Sequence, residues 1–288
     1  MQPKASVLMI TYNQDQYIAQ ALDSVLMQKC SFRFEIVIGE DFSTDGTRAI
    51  CQAYQQKYPE IIRLLDHEKN LGMSRNFFYT LAECKGEYLA ILEGDDFWTD
   101  PLKLQKQVDF LDSNPDFSIV FARTEVFFQD EDRLGIEIPP PNIGPFTLEN
   151  LLKVNFIATC SVMYRHGLVT EFPAWLYQLD MLDWPMHILH VQHGKIGFLD
   201  EKMAKYRIHS KSTYSSRNVS QNYVGMLKFY RIINIHLNFN YSKLIYQFQG
   251  NLCRAISQLS EIEGDRLNQI RYKVLMHIFN MRAGIAWK

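Results

Sequence analysis

Short apolar runs alternate with stretches of helical periodicity over the first third of the chain. Ser6 to Thr11 is an apolar run rich in strand formers, and the following segment, Gln16 to Gln28, places its apolar residues at helical spacing. The unit then repeats, which predicts strands at Phe34 to Glu40, Ile61 to Leu65 and Tyr88 to Leu92 and helices at Thr47 to Tyr58 and Met73 to Cys84. Such alternation predicts an α/β fold with a mainly parallel sheet, helices on both faces and ligands beyond the carboxyl ends of the strands.

The rest of the chain has a less regular pattern. The segment Ile138 to Pro145 contains four prolines, so we expect an extended loop that separates residues 1–137 from residues 146–215. We predict strands at Ile119 to Phe128 and Phe156 to Tyr164, a short helix at Trp184 to His193, and a turn and strand at Ile196 to Arg207. From Ser220 onward the pattern is helical, which predicts one domain over residues 1–215 and a helical C-terminal extension over residues 216–288.

Composition and cysteine content narrow the class of protein. The chain has 288 residues, of which 47% are hydrophobic, and its formal charge is −2, so it has the character of a globular enzyme and no overall charge that indicates a nucleic-acid partner. Its five cysteines are widely spaced and form no CxxC pair, which indicates reduced thiols. Neither a signal-peptide pattern nor an apolar run of ~18 residues is found, so a cytoplasmic location is expected.

Charge is distributed unevenly, because the C-terminal extension is basic. From Met226 to the end there are nine basic and three acidic residues, an excess of six positive charges. Together with the apolar residues Phe229, Tyr230, Ile233, Leu237, Leu244 and Phe248, this suggests docking at the inner face of the cell membrane. A helical cap on the core or an oligomer contact explains the pattern equally well.

Polar residues follow each strand of the predicted sheet. They are Thr11, Tyr12 and Asn13; Glu40 to Thr47, which includes Asp41; Asn70 to Gly72, with Arg75 and Asn76 after them; and Glu93 to Asp96. For Ser43, Asp45 and Gly46, turn and helix-cap chemistry is a sufficient explanation. The other residues converge on the edge of the sheet where ligands are expected.

Three carboxylates, Glu93, Asp95 and Asp96, lie within four residues directly after an apolar strand. Their mutual repulsion is costly unless a cation neutralises it. Carboxylate oxygens suit Mg²⁺ or Mn²⁺, which complete their coordination with phosphate oxygens and water. The alternative is a solvated acidic loop before a helix that starts at Asp100 and Pro101.

The segments SVLMITYN, EIVIGEDFSTDGT, NLG with a following arginine, and LEGDDFW resemble, in this order, the inverting GT-A glycosyltransferases of family 2. The later segment LDWPMHILHVQHGKIGFLDEKMAKYRIHSKSTYS resembles the acceptor side of that family, so the resemblance covers about the first 215 residues. It implies a Rossmann-like GT-A fold in which residues 1–137 bind the nucleotide sugar and residues 146–215 bind the acceptor. Three positions depart from the family pattern: Glu40, Glu93 and Leu182.

The resemblance also assigns roles to single residues. Thr11, Tyr12 and Asn13 would hold the nucleobase, Asp41 would accept its N3 hydrogen, and Asn70 and Arg75 would contribute to the nucleotide-sugar site. For Arg75, pairing with a helix neighbour on the surface is the alternative. Asp95, Glu93 and Asp96 would form the Mn²⁺ or Mg²⁺ site, which His209 would complete unless it contacts the diphosphate instead. Asp183 would be the catalytic base, with Asp180 as a competitor and a simple helix N-cap as the alternative role.

The implied reaction moves a sugar from a UDP-sugar or dTDP-sugar to a hydroxyl of a glycan or lipid-linked acceptor, with inversion, in bacterial surface polysaccharide synthesis. One base and no enzyme nucleophile mean a single displacement. A nucleotidyltransferase is the first rival, but it carries a Gly-rich basic loop where this chain has TYNQDQY. A non-catalytic nucleotide-sugar-binding protein is the second, and a Rossmann dehydrogenase is disfavoured because no GxGxxG follows the first strand.

Overall fold

The elements of the chain follow the predicted alternation of strands and helices. The computed structural model describes residues 2–65, 67–131, 134–141, 144–210 and 218–285. The strands in these residues are β1 (Ala5–Thr11), β2 (Phe34–Glu40), β3 (Ile62–Leu65), β4 (Tyr88–Ile91), β5 (Phe97–Trp98), β6 (Phe117–Phe128), β7 (Ile136–Ile138), β8 (Met163–Arg165) and β9 (Lys195–Ile208). The α-helices are α1 (Ile18–Leu26), α2 (Thr47–Lys57), α3 (Met73–Glu83), α4 (Lys103–Ser113), α5 (Leu148–Lys153), α6 (Asp183–Val191), α7 (Val219–His236), α8 (Ser242–Ile262) and α9 (Arg266–Ala283).

The strands form one sheet in the order β3-β2-β1-β4-β8-β6-β9-β5, with β7 attached to β6. Strand β1 pairs in parallel with β2 and β4, β2 pairs in parallel with β3, and β6 pairs in parallel with β9. The antiparallel pairings of β5, β7 and β8 are shorter. The predicted α/β class, the mainly parallel sheet and the helical C-terminal region are confirmed.

The centre of the sheet is buried on both faces. In β1, Ala5 to Met9 have no exposed surface. A parallel strand covered by helices on both sides has no solvent face, which is why this segment is a continuous apolar run rather than an alternating one. Burial on both faces therefore stabilises β1 as a strand. The strand ends at Thr11, and the polar residues that follow lie at the edge of the sheet.

Three predicted elements differ from the structure. The strand expected at Phe156 to Tyr164 was wrong, because this segment contains a 3₁₀ helix at Thr159–Ser161 and only the short strand β8 after it. The side chains of Trp98 and Gln107 donate to the carbonyl oxygens of Cys160 and Ser161, each at 2.8 Å, so side chains rather than a neighbouring strand satisfy these carbonyls.

The turn expected before the last strand is absent from the described residues, since β9 runs without a break from Lys195 to Ile208. Its pairing with β6 instead contains shifts of register. Of the loop expected at Ile138 to Pro145, Ile138 is the last residue of β7, and residues 142–143 lie outside the described residues. Helix α4 begins at Lys103, just after Asp100 and Pro101, where the alternative interpretation of the carboxylates places the start of a helix.

Contacts between Cα atoms divide the chain into two compact units. The first contains Met1–Leu151, Asn155–Pro173 and Leu182–His209, and the second contains Leu152–Val154, Ala174–Met181 and Ser210–Lys288. The predicted boundary at residues 215 and 216 falls within residues 211–217, outside the described part of the chain, so the domain division stays a prediction.

The second unit is helical and has its own core. Cys253, Ile256 and Tyr272 are buried where α8 packs on α9. The apolar residues expected to dock on a membrane are not exposed: Phe229, Tyr230, Ile233 and Leu237 are buried, and Leu244 and Phe248 are half-buried. Among the described residues, no helix is long and apolar enough to cross a bilayer.

A buried lysine lies on the inner face of α4. The Lys103 side chain is fully buried, its Nζ donates to Gln107 Oε1 at 2.7 Å, and Nζ lies 4.1 Å from the centroid of the Trp98 ring. Burial lowers the pKa of Lys103 to about 7, against an ordinary lysine value of about 10.4. The unfolded chain therefore binds more protons than the folded chain between these two values.

We expect Lys103→Met to change how the stability of the protein depends on pH. Between about pH 7 and about pH 9, the contribution of Lys103 to the free energy of unfolding rises with pH, because folding requires the lysine to lose its proton. Any stability advantage of Lys103→Met over the wild type should shrink by about 1 kcal/mol or more over this range. Urea unfolding of the variant and of the wild type at the two ends of this pH range measures the difference in their free energies of unfolding. Lys106→Met on the same helix is the control and should show no such change, because ion pairs with Asp100 and Glu201 raise the pKa of Lys106. A pH-independent difference for Lys103→Met would show that the buried amine is charged throughout.

Candidate active site

The polar residues that follow the strands lie at one edge of the sheet because β2, β1 and β4 are parallel neighbours. Backbone pairing continues past the strand ends: Asp41 N donates to Thr11 O at 3.0 Å, and Gly94 N donates to Ile10 O at 3.1 Å. A Cβ at Gly94 would lie 2.6 Å from Thr11 Oγ1, so only glycine permits this approach of the two loops. The loops that carry the predicted residues are thus fixed to each other.

The loops after β1 and β2 are joined by side chains. Asn13 has a φ of 53°, and its Oδ1 accepts a hydrogen bond from Thr44 N at 2.8 Å, while its own N donates to Ser43 Oγ at 2.9 Å. Asp45 accepts a hydrogen bond from the N of Thr47, the first residue of α2, at 2.9 Å, which is the structural role predicted for it. Tyr12 stands beside this framework with 46% of its surface exposed, so its ring is available to a ligand.

Asp41 is 3% exposed and holds the loop before α3. Its Oδ1 accepts from Leu71 N at 2.6 Å and its Oδ2 from Gly72 N at 2.9 Å, while Asn70 Nδ2 donates to the Asp41 carbonyl at 2.8 Å. The structure thus brings Asp41 and Asn70 together, as predicted. Each carboxylate oxygen accepts more than one hydrogen bond, so these contacts leave acceptor capacity on Asp41.

Arg75 is not brought into this cluster. Its side chain is exposed, and within the described part of the chain it forms no hydrogen bond or ion pair. The next residue, Asn76, is buried and donates to Gly39 O at 2.7 Å, which fastens α3 to β2. Asn76 therefore has a packing role.

Glu93, Asp95 and Asp96 form a carboxylate cluster in which the pKa values of Glu93 and Asp96 are raised. Burial raises the pKa of Glu93 to about 8, and the negative charges of Asp95 and Asp183 add to that effect. Burial also raises the pKa of Asp96 well above its usual range, with further contributions from Asp95 and Glu93. The site therefore binds protons or a cation more readily than separate carboxylates would.

The two aspartates of this cluster have different surroundings. Asp96 is buried; its Oδ1 accepts from Arg207 N at 2.8 Å, and its Oδ2 has no hydrogen-bond partner among the described residues. Asp95 is partly exposed, and its Oδ2 lies 3.1 Å from His209 Nε2. The His209 ring packs against Tyr17 with a centroid distance of 4.6 Å, which fixes its orientation.

Arg207 was named in the sequence only as part of a motif, and the structure gives it a role. Its Nε donates to the carbonyl oxygen of Asp95 at 2.8 Å, and its terminal nitrogens donate to the side chains of Gln20 and Gln129. Its guanidinium lies over the rings of Tyr17, Phe97 and Phe127. Arg207 therefore fastens the carboxylate loop to β9 and places a positive charge next to it.

The residues present fit a metal held jointly by the protein and a ligand. The described residues contain no group of three or more His, Cys, Asp or Glu side chains placed to hold a metal ion by themselves. Asp95 and His209 supply an oxygen and a nitrogen ligand that already face each other. Mg²⁺ and related cations commonly take one or two protein ligands and complete their shell with substrate phosphates and water. Asp96 Oδ2, which has no hydrogen-bond partner among the described residues, is a further carboxylate oxygen next in the chain to Asp95, and a bound cation would favour its ionised form.

Asp183 is the first residue of α6 and interacts electrostatically with the carboxylate cluster. Burial raises its pKa, and its charge in turn raises the pKa of Glu93. Its Oδ2 accepts a hydrogen bond from Asn155 Nδ2 at 2.7 Å, a partner that the sequence did not indicate. The cap position before the helix belongs to Leu182, and backbone N–H groups at Trp184 and Asp183 donate to the Asp183 carboxylate, which offsets part of the rise in its pKa. Asp180 is exposed and belongs to the second unit.

Comparison with known proteins finds a named glycosyltransferase and an uncharacterized protein among the relatives of the chain. The chain is 31% identical over 218 residues to the putative teichuronic acid biosynthesis glycosyltransferase TuaG of Bacillus subtilis, a match that covers 75% of this chain and 83% of TuaG. It is 39% identical over 213 residues to the uncharacterized protein Rv1520 of Mycobacterium tuberculosis, covering 73% of this chain. The match spans 60% of the length of that relative.

Solved structures share the fold. Residues 1–349 of Staphylococcus aureus TarS, in complex with UDP-GlcNAc, give a TM-score of 0.62 at 19% identity, covering 99% of this chain and 93% of that one. The mannosyltransferase PcManGT of Pyrobaculum calidifontis, in complex with GDP-Man and Mn²⁺, gives a TM-score of 0.59 at 14% identity, covering 99% and 86%. The sequence profile described as Glycosyl transferase family 2 matches residues 6–171, more than half of the chain. The chain therefore belongs to glycosyl transferase family 2.

Proposed function

We propose that this chain is an inverting glycosyltransferase that moves a sugar from a UDP-sugar or dTDP-sugar to an acceptor hydroxyl, with Mn²⁺ or Mg²⁺ as cofactor. The proposal rests on one observation: Asp183 interacts electrostatically with Glu93 of the carboxylate cluster, in which Asp95 faces His209. A base for the acceptor and a binding site for a diphosphate are the two parts that such a transfer requires. TarS, which has the same fold, binds UDP-GlcNAc.

Asp41 supports a uracil or thymine base on the donor. Both bases present an N–H donor at N3, whereas cytosine presents an acceptor there. A buried carboxylate that faces cytosine would set lone pair against lone pair, at a cost of about 1–3 kcal/mol or more. Thr11, Tyr12 and Asn13 would complete the base site, and Asn70 and Arg75 would contribute to the ribose and diphosphate region.

Asp95 and His209 would hold the metal ion, which would act as a Lewis acid that stabilises the charge on the departing diphosphate. Glu93 and Asp96 would border the ion and add negative charge to its surroundings. Arg207 would keep the loop of Asp95 in place through its bond to the Asp95 carbonyl. Glu93 departs from the usual aspartate by one methylene group, which lengthens its reach without changing its charge.

Asp183 would take the proton from the acceptor hydroxyl. The acceptor oxygen then bonds to the anomeric carbon as the bond from that carbon to the diphosphate oxygen breaks, and the nucleoside diphosphate leaves with the electron pair. Asn155 donates a hydrogen bond to one carboxylate oxygen of Asp183 and so restrains the orientation of that carboxylate. A single displacement inverts the anomeric centre, so an α-linked donor would give a β-linked product.

The setting we propose is bacterial surface polysaccharide synthesis in the cytoplasm, at the inner face of the membrane, with a glycan or a lipid-linked acceptor. Two observations support it: TuaG is named for teichuronic acid biosynthesis, and all five cysteines are unpaired. In this proposal, residues 1–137 would bind the donor, residues 146–215 the acceptor, and residues 216–288 would form an extension.

A panel of nucleotide sugars tests the donor class. A true donor raises the melting temperature of the protein by mass action, so UDP-sugars or dTDP-sugars with Mn²⁺ should stabilise the chain and CMP-sugars should not. Each stabilising donor is then incubated with the protein, and release of the nucleoside diphosphate is measured. Stabilisation without release would indicate a non-catalytic binding protein. Formation of a nucleotide sugar from a nucleoside triphosphate and a sugar phosphate would indicate a nucleotidyltransferase.

A further inference from the structure

Helix α9 has apolar side chains on two opposite faces. One face carries Tyr272, Leu275, Met276 and Phe279, which pack into the small core of the second unit. The opposite face carries four exposed aliphatic residues, which we call the α9 stripe: Leu267 (83% exposed), Ile270 (53%), Val274 (54%) and Met281 (57%). At 3.6 residues per turn, the four side chains of the stripe project within an arc of about 60°. The stripe is therefore a continuous apolar surface along the helix.

Basic residues border the α9 stripe on both sides. By helical geometry, Arg266 and Lys273 lie along one border, and Arg271 and Arg282 lie along the other. All four side chains are exposed, and within the described part of the chain none forms an ion pair with a carboxylate. The sequence of α9 contains no Asp or Glu. The stripe thus lies between two rows of uncompensated positive charge.

The aliphatic stripe and its basic borders together indicate what kind of surface binds to α9. An exposed row of large aliphatic side chains marks an interaction surface when it is contiguous. A second copy of the chain would bring the basic rows of one helix against those of the other in either orientation, and like charges at close range are unfavourable. An anionic lipid surface accommodates both features, since the acyl boundary accepts the aliphatic side chains and the phosphates attract the arginines and the lysine.

We propose that α9 docks this protein on an anionic lipid surface through the α9 stripe and its four basic neighbours. The helix is 18 residues long, so it would lie in the plane of the interface for about 27 Å. The side chains of the stripe would enter the boundary between headgroups and acyl chains. This proposal does not depend on the transfer reaction, and it replaces the buried residues of α7 as the membrane-facing surface.

Flotation of the full chain with vesicles tests the proposal. Vesicles of equal parts phosphatidylglycerol and phosphatidylcholine should bind the wild type at low salt, and pure phosphatidylcholine vesicles should bind it much more weakly. The variant Leu267→Ser/Ile270→Ser/Val274→Ser and the variant Arg266→Gln/Arg271→Gln/Lys273→Gln/Arg282→Gln should each bind anionic vesicles at least about tenfold more weakly. The matched control is Lys29→Gln/Arg33→Gln/Lys57→Gln/Lys69→Gln, which removes four exposed charges from the first unit and should bind like the wild type.

Several results would overturn the proposal. They are equal binding to neutral and anionic vesicles, loss of binding in the control to the same extent, and no vesicle binding by the wild type. A fourth is a wild-type dimer in sedimentation velocity that the serine variant converts to a monomer without a change in vesicle binding, which would make the stripe a contact between copies. All substituted side chains are exposed, so circular dichroism should show the wild-type fold, and the donor-induced rise in melting temperature should be unchanged.

Discussion

Asp183→Asn is expected to lower turnover by at least about 100-fold while the affinity for the donor stays near that of the wild type. Asparagine has almost the same shape as aspartate and can keep a contact with Asn155, but it cannot accept a proton at neutral pH. Donor binding rests on other residues, so a loss confined to kcat identifies the carboxylate as the group that takes the acceptor proton. Turnover with saturating acceptor and the dissociation constant of the nucleotide sugar are the two measurements.

Asp180→Asn is the matched control for this experiment. Asp180 precedes Asp183 by three residues and is exposed, so its substitution should leave kcat unchanged. Full activity of Asp183→Asn together with inactivity of Asp180→Asn would transfer the role to Asp180. Full activity of both variants would remove the base from this segment altogether.

Parallel pairing explains why so much of the fold and of the site could be predicted. The strands β1, β2 and β4 are buried on both faces, so each appears in the sequence as an apolar run with an abrupt polar end. Because parallel neighbours end at the same edge, Thr11, Asp41 and Asp95 were placed together without any knowledge of their contacts. Position along the chain was sufficient information for these residues.

Contacts that depend on the path of the irregular segments could not be predicted. Asn155 lies in a stretch without periodicity, and its bond to Asp183 joins residues that are 28 positions apart. Arg207 is 112 positions from the Asp95 carbonyl that it binds, and its side-chain partners Gln20 and Gln129 come from two further parts of the chain. No local pattern marks such pairs.

The C-terminal helices show a different limit of sequence reasoning. Apolar residues at helical spacing identify a face that is removed from water, but not what covers it. In α7 that face, with Phe229 and Ile233, is buried within the protein, whereas in α9 a second apolar face remains exposed. Only the packing of α9 on α8 shows which of its two faces is available to a partner.

Asp95→Asn is expected to abolish metal-dependent transfer, with a fall in kcat of at least about 1000-fold, because the loss of a Lewis acid removes several kcal/mol of charge stabilisation from the transition state. The substitution does not change the size of the side chain and leaves His209 beside it. It also leaves in place the hydrogen bond from the Arg207 side chain to the Asp95 carbonyl. The fold should therefore be retained, which circular dichroism checks. Asp200→Asn serves as the control, since it removes a surface carboxylate that pairs with Arg123 and should leave the rate unchanged.

A direct measurement of metal binding decides what a loss of activity in Asp95→Asn means. Electron paramagnetic resonance of Mn²⁺ in the presence of UDP should show bound ion with the wild type and at least about tenfold weaker binding with Asp95→Asn and with His209→Asn. A chelator should abolish wild-type transfer, and added Mn²⁺ should restore it. If Asp95→Asn is inactive but binds Mn²⁺ and UDP like the wild type, Asp95 acts on the sugar or the acceptor and the metal is held elsewhere. If the chelator leaves the wild-type rate unchanged, the diphosphate departs without a metal, and Asp95 has another role.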